Sequence, residues 1–156
     1  MIIKDVKITL LTVPFVEQPA LQAGYSRDRD ILVVEIETNS GIVGMGYQLY
    51  LREGFRTTKA CLEELMIPRI LGRDATEVEA IWRDLWMSTL ADGRGGAQLL
   101  ALSIIDVALW DAVGQKANMP LHRLWGHYTD KVPVYRSGVW RGLGGDRMVE
   151  KAKRFI

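Results

Sequence analysis

Apolar and polar residues alternate from Ile3 to Val13, with Val6, Ile8 and Leu10 on one side and Asp5, Lys7 and Thr9 on the other. A period of two marks a strand with one wet face. The alternation returns from Ile31 to Thr38, where Leu32, Val34 and Ile36 point inward and Glu35 and Glu37 outward. Asn39-Ser40-Gly41 then supplies turn chemistry before a third strand, Ile42 to Tyr47. A three-stranded antiparallel meander is predicted. Gly44 and Gly46 share one face of its third strand, which removes side chains where a helix would approach closely.

Helical periodicity follows. Thr57 to Met66 has helical composition, and Pro68 with Gly72 predicts an exit. Asp74 or Thr76 is expected to cap a second helix running to Leu90, with Val78, Ile81, Trp82, Leu85 and Trp86 as its apolar stripe. From Ala97 to Ala117 there is no proline and one glycine, and apolar residues occupy nearly every face of the wheel. Such a helix is roughly 30 Å long and serves as a core axis, stopped by Asn118 and Pro120. Gln98, Ser103, Asp106 and Asp111 interrupt it, and carboxylates at bilayer depth argue against a membrane span. The first 120 residues therefore predict an α+β domain, a meander followed by a helical bundle on one face of the sheet, with Trp82, Trp86 and Trp110 in the core.

The final stretch changes character. Leu121 to Asp130 reads as a linker, and Lys131 to Gly138 as a strand burying Val132, Val134 and Tyr135. Gly142, Gly144 and Gly145 form a loop before a helix from Gly145 or Asp146 through Met148, Val149, Ala152, Phe155 and Ile156. One strand-loop-helix unit cannot be stable without neighbouring strands. The expected organisation is a domain over residues 1–130 and the start of a second, incomplete one over 131–156, the front part of something longer.

Composition narrows the function. Lys plus Arg total 20 against 19 acids, so there is no basic field of the kind a phosphate backbone or anionic lipid requires. Nucleic acid and membrane are not expected partners. The single cysteine, Cys61, forms no internal disulfide and has no base beside it in sequence, and Lys4-Asp5 interrupts any apolar leader. A cytoplasmic location is expected.

The segment Asp106-Val107-Ala108-Leu109-Trp110-Asp111 with Gly114, then Pro120-Leu121, Leu124 and Gly126, resembles the N-terminal capping domain of the enolase superfamily, in its mandelate racemase subgroup. Gly41, Gly44 and Gly46 in the hairpin and Pro68, Gly72 and Asp74 between helices support the likeness, which covers the whole chain. The resemblance implies that residues 132–138 begin a TIM-type (β/α) barrel and that residues 146–156 open its first helix. It further implies an enzyme that abstracts an α-proton from a carboxylate, an acid-sugar dehydratase or a racemase, with Mg²⁺ and Lys or His bases held at later barrel strands. No catalytic residue and no metal ligand is expected within residues 1–156, so Mg²⁺ is expected for the full-length enzyme and not for this chain. A small hydroxy-carboxylate or sugar acid, the missing barrel and further copies in a homo-oligomer are the expected partners. Many relatives carry Glu after the second hairpin glycine; here Tyr47 stands there, closer to the racemase and dehydratase members.

Two irregular stretches carry the candidate chemistry. About sixteen residues without a period, from Pro14 to Asp30, are uncommon in a compact domain and more often functional than not. This loop holds Tyr25, Arg27 and Arg29; the second, from Tyr47 to Arg56, holds Tyr47, Tyr50 and Arg52. Arg forks suit carboxylates and Tyr bonds hydroxyls. Ser137 and Trp140 join them as substrate-side candidates from their place at the outgoing end of the expected barrel strand. Asp106 and Asp111 lie roughly 140° apart on a helix and do not converge, so each is expected to bond backbone or an arginine. Gly93-Arg94-Gly95-Gly96 reads as a lead-in loop, and His122 and His127 as exposed structural residues. The competing function is a stand-alone, non-catalytic α+β binding or oligomerisation module.

Overall fold

The computed structural model describes residues 1–15, 28–50, 54–91, 93–137 and 144–155. Three antiparallel strands, β1 (Ile3–Pro14), β2 (Asp28–Thr38) and β3 (Val43–Tyr50), form one sheet in the order β1-β2-β3. Val6 pairs with Ile36, Ile8 with Val34 and Leu10 with Leu32, so the inward side chains of the two strands meet row by row. The hairpin turn is fixed by the Thr38 N–H donating to Ile42 O at 3.0 Å and by the Thr38 hydroxyl donating to the same carbonyl at 2.9 Å.

β3 runs three residues beyond the expected Tyr47, which places Tyr47 and Tyr50 on a strand rather than in a loop. Cross-strand pairing with Ile31 and Asp30 carries it on to Leu49 and Tyr50. Of the two residues expected to mark the helix exit, Pro68 is passed and the helix ends at Ile70, just before Gly72. α1 (Phe55–Ala60) continues through a π-helical turn (Cys61–Met66) into α2 (Ile67–Ile70). Proline has no N–H and its ring crowds the carbonyl four residues back, and a local change of helical pitch lets the chain pass it.

α3 (Val78–Ser88) begins after both expected caps. Its N-cap is Glu77, without a side-chain bond. Asp74 instead folds the chain ahead of the helix: its Oδ1 accepts from the Thr76 N–H at 3.0 Å and the Thr76 hydroxyl at 2.9 Å. The same oxygen takes the Met1 amine at 3.1 Å, tying the first residue to the helical layer. These contacts hold the Asp74 carboxyl down at about 2, the Thr76 bonds contributing most.

α4 (Gly96–Ala117) is the axis. It buries Ala101, Leu102, Ile104, Ile105, Ala108, Leu109 and Ala112 against the sheet and the other helices. A Cβ added at Gly44 would stand 2.1 Å from the Ala108 carbonyl oxygen, and one at Gly46 2.1 Å from that of Ile104. Helix backbone therefore lies directly on strand backbone, with glycine hydrogens facing carbonyl oxygens. α4 also guards the sheet edge: Asp111 Oδ2 accepts from the Met45 N–H at 2.8 Å, and Gln115 Nε2 donates to Val43 O at 2.7 Å. Asn118 ends the helix in the left-handed conformation at φ 49°. Trp82, Trp86 and Trp110 are only partly buried, packed against the core from its rim.

Beyond α5 (Leu121–Leu124) the expectation of a buried strand fails. Residues 131–137 are irregular and exposed, with Val134 87% and Tyr135 90% accessible. Among the described residues no neighbouring strand pairs with them, and a parallel strand does not form alone. α6 (Gly145–Lys153) follows and buries none of its described side chains.

Candidate functional site

The two stretches that hold the loop candidates leave the same end of the sheet. Pro14 pairs with Asp28 across β1 and β2, and Asp30 pairs with Tyr50 across β2 and β3, so residues 16–27 and 51–53 leave neighbouring strand ends. Each loop is closed at its base by an aromatic contact. The Arg29 guanidinium lies 4.3 Å from the Phe15 ring centre, and Tyr50 meets Phe55 edge-on at 6.5 Å. The Thr12 hydroxyl adds a 2.7 Å bond to Asp30. Phe15 carries no polar group, so a search for binding chemistry passes over it. Its signal is its place immediately after the strand-ending Pro14.

The same end holds polar groups that nothing among the described residues satisfies. Two strand residues rise about as far as four helical ones. Gly46 against Ile104 therefore sets Tyr50 beside the first turn of α4, where Gln98 lies. The Tyr50 hydroxyl, Thr58 Oγ1 and Gln98 Oε1 are each buried without a hydrogen-bond partner among the described residues. Burial pushes the Tyr50 hydroxyl above its ordinary range; the Thr58 hydroxyl lies near enough to offset part of that, yet not in bonding geometry. Unpaired buried polar atoms are uncommon in folded proteins.

The sequence candidates separate. Tyr50 is 8% exposed and faces inward, while Tyr47, three residues back, is 64% exposed on the opposite face. The strand does not bring them to one ligand, and Tyr50 braces the loop base from below. Arg29 is stacked on Phe15. Ser137 is exposed in the irregular segment. Tyr25, Arg27, Arg52 and Trp140 lie outside the described residues.

The remaining candidates find structural roles. Asp111 bonds backbone as expected. Asp106 bonds nothing among the described residues, and the expectation of a backbone or arginine partner is corrected. Arg94 lies 4.8 Å from the Trp86 ring centre and fixes the lead-in loop. His122 and His127 are exposed, their rings 5.5 Å apart, and His127 reaches Asp130 at 3.3 Å. Cys61 is half-buried, its thiol pushed up by burial. An open hollow between Asp111, Gln115, Asn118 and Met119 lies at the other end of α4, and its Asp111 and Gln115 are already committed to β3. No group of three or more His, Cys, Asp or Glu side chains is placed to hold a metal among the described residues. These residues do not fit a Mg²⁺ site.

A sheet of three antiparallel strands, an apolar helix laid on paired glycines and two loops on one edge have a counterpart among known proteins. Residues 6–126 match the family described as mandelate racemase / muconate lactonizing enzyme, N-terminal domain. The chain belongs to this family. Its fold is that of the enolase-superfamily capping domain. It is similar to a 3,6-anhydro-alpha-L-galactonate cycloisomerase of Streptomyces coelicolor, 34% identical over 85% of this chain and 37% of that protein. Among solved structures, a racemase from Streptomyces coelicolor A3(2) with bound magnesium superposes with a TM-score of 0.91 at 32% identity, over 99% of this chain and 43% of that one. L-talarate/galactarate dehydratase from Salmonella typhimurium LT2, liganded with Mg and L-lyxarohydroxamate, gives 0.86 at 26% identity, over 97% and 40%. The mandelate racemase-type chain thus spans less than half the length of each of these relatives.

Proposed function

We propose that this chain is the substrate-covering part of a Mg²⁺-dependent enzyme that removes an α-proton from a sugar acid or related hydroxy-carboxylate, by dehydration or racemisation. One observation carries the reading: 99% of the chain, tail included, superposes on less than half of a longer, magnesium-containing racemase. Residues 1–130 form the cap, and residues 131–156 are the first strand and first helix of the barrel, a strand that takes regular shape only beside its neighbours. The chain is not catalytic by itself, because base and metal ligands come from elsewhere. The full-length enzyme works as a homo-oligomer in the cytoplasm.

The cap's own residues bind and exclude water. Tyr25, Arg27 and Arg52 on the two loops, with Trp140, Ser137 and the exposed Tyr47, meet the substrate's carboxylate and hydroxyls. Phe15–Arg29 and Tyr50–Phe55 hold the strand ends from which the two stretches leave. A closed lid strengthens every charge interaction beneath it.

The test is expression of the longer polypeptide encoded with this chain, assayed against a panel of acid sugars with and without Mg²⁺. Turnover is expected from the longer polypeptide and none from residues 1–156; Arg27→Ala and Arg52→Ala are expected to raise KM. Turnover by residues 1–156 alone, or a tight divalent-cation site in them, contradicts the reading.

A further inference from the structure

One inward corner of the domain gathers hydrogen-bonding groups whose partners are missing among the described residues. Tyr50 ends β3 on the face turned to α4 and is buried; Thr58, on α1, is buried completely. Thr58 lies one turn along α1 from Phe55, which stands edge-on to Tyr50, so the two hydroxyls share a side of that helix. α4 closes the corner. A Cβ added at Gly44 would meet the Ala108 carbonyl and one at Gly46 the Ile104 carbonyl, so two residues along β3 step four back along α4. Continued to Tyr50, that step arrives at the first turn of α4, which carries Gln98, and α1 packs on the same helix. The Tyr50 hydroxyl, Thr58 Oγ1 and Gln98 Oε1 are the three buried atoms without a hydrogen bond among the described residues. A buried polar atom left so is costly, and three meeting at one place share one remedy.

We propose that one buried water molecule binds at this corner, held by Tyr50, Thr58 and Gln98, and joins the end of β3 to α1 and to the first turn of α4. The chemistry of the three atoms selects the ligand. Each hydroxyl donates one hydrogen and can accept another, whereas the amide oxygen only accepts. A water that donates to Gln98 Oε1 and Thr58 Oγ1 and accepts the Tyr50 hydrogen satisfies all three, and about three bonds is what a buried water ordinarily makes. Ions fit less well. The groups that act on the Tyr50 hydroxyl are the Thr58 hydroxyl and the Cys61 thiol, and burial keeps both the phenol and the thiol protonated, so the corner is neutral. An anion would face the amide oxygen, and a hard cation, which takes about six oxygens with carboxylates among them, would find three uncharged ones. The end of β3, from which the second candidate stretch leaves, is thereby fixed by a polar joint as well as by the Tyr50–Phe55 contact.

Tyr50→Phe, Thr58→Val and Gln98→Met remove the three polar atoms with little change of shape, and thermal unfolding of residues 1–156 carrying them singly and in combination reads the site. A bridging water makes each single replacement harmful, because the water loses one bond and keeps the others waiting. Each is expected to lower Tm by a few degrees, and the triple variant, with no polar atom left to satisfy, to lose less than the three losses added together. Thr58→Val that leaves Tm unchanged or raises it overturns the proposal, since relief of an unpartnered hydroxyl does that. So does a coupling confined to Tyr50 and Thr58 with Gln98→Met strictly additive, the mark of a direct bond between the two hydroxyls. Should Tyr50→Phe fail to fold, Thr58→Val, Gln98→Met and their double variant carry the same test. A high-resolution crystal structure of the unsubstituted chain reads it directly: one water within hydrogen-bond distance of all three atoms is expected, and the two hydroxyls bonded to each other with no water between them and Gln98 overturns it.

Discussion

Residues 1–125 and residues 126–155 both carry apolar residues in patterns that predict burial, and the described ones end in opposite states. In the first region Val34, Ile36 and Ile105 are fully buried; in the second Val132, Val134 and Tyr135 stand open, and α6 buries nothing described. A hydrophobic pattern states that a residue is to be covered. It does not state by what. In the first region the cover is α4 on the sheet, and in the second no described element supplies one.

The largest expected difference lies in the glycine contacts. Gly46→Val sets side-chain atoms on the Ile104 carbonyl and is expected to abolish cooperative folding, whereas Gly145→Ala meets open space and is expected to change nothing. Circular dichroism with urea titration reads both. Next comes core truncation: Ile105→Ala is expected to cost about 3 kcal/mol in urea unfolding, and Val134→Ala less than about 0.5. Equal losses would erase the contrast between the regions.

Smaller effects sharpen it. Asp111→Ala removes the acceptor for the Met45 N–H at the sheet edge and is expected to cost about 1 kcal/mol, read by the same titration. The smallest is a matter of pH. Asp74 is held at about 2 in the folded chain against an ordinary 3.8, so its stabilisation is present above 3.8 and is lost as pH falls through about 2. Asp74→Asn is expected to be less stable than the parent at pH 7, with the gap closing across that window. A gap independent of pH would assign the loss to something other than the charge.

The meander and its packing were legible because strand periodicity and missing Cβ atoms are local signals: Gly44 and Gly46, two apart, announced the helix that lies on them. What was not legible depends on distant partners. Asp74 looked like a helix cap because its bond to the Met1 amine spans 73 residues of sequence. Pro68 looked like a stop because the π-helical turn before it has no signature in residue type. Tyr47 and Tyr50 looked like one cluster, yet strand geometry sends residues three apart to opposite faces. The loop ends were marked as a candidate site by irregular length and residue type, but the atoms left unpaired there among the described residues, Thr58 Oγ1 and Gln98 Oε1, belong to helices whose side chains pass as ordinary.

Amide hydrogen exchange on residues 1–156 tests most directly the contrast between the two regions. Slow exchange is predicted across β1, β2, β3 and α4, with residues 126–137 and α6 exchanging at nearly unprotected rates in the monomer. Protection of residues 131–137 in a monomer equal to that of the sheet would contradict it.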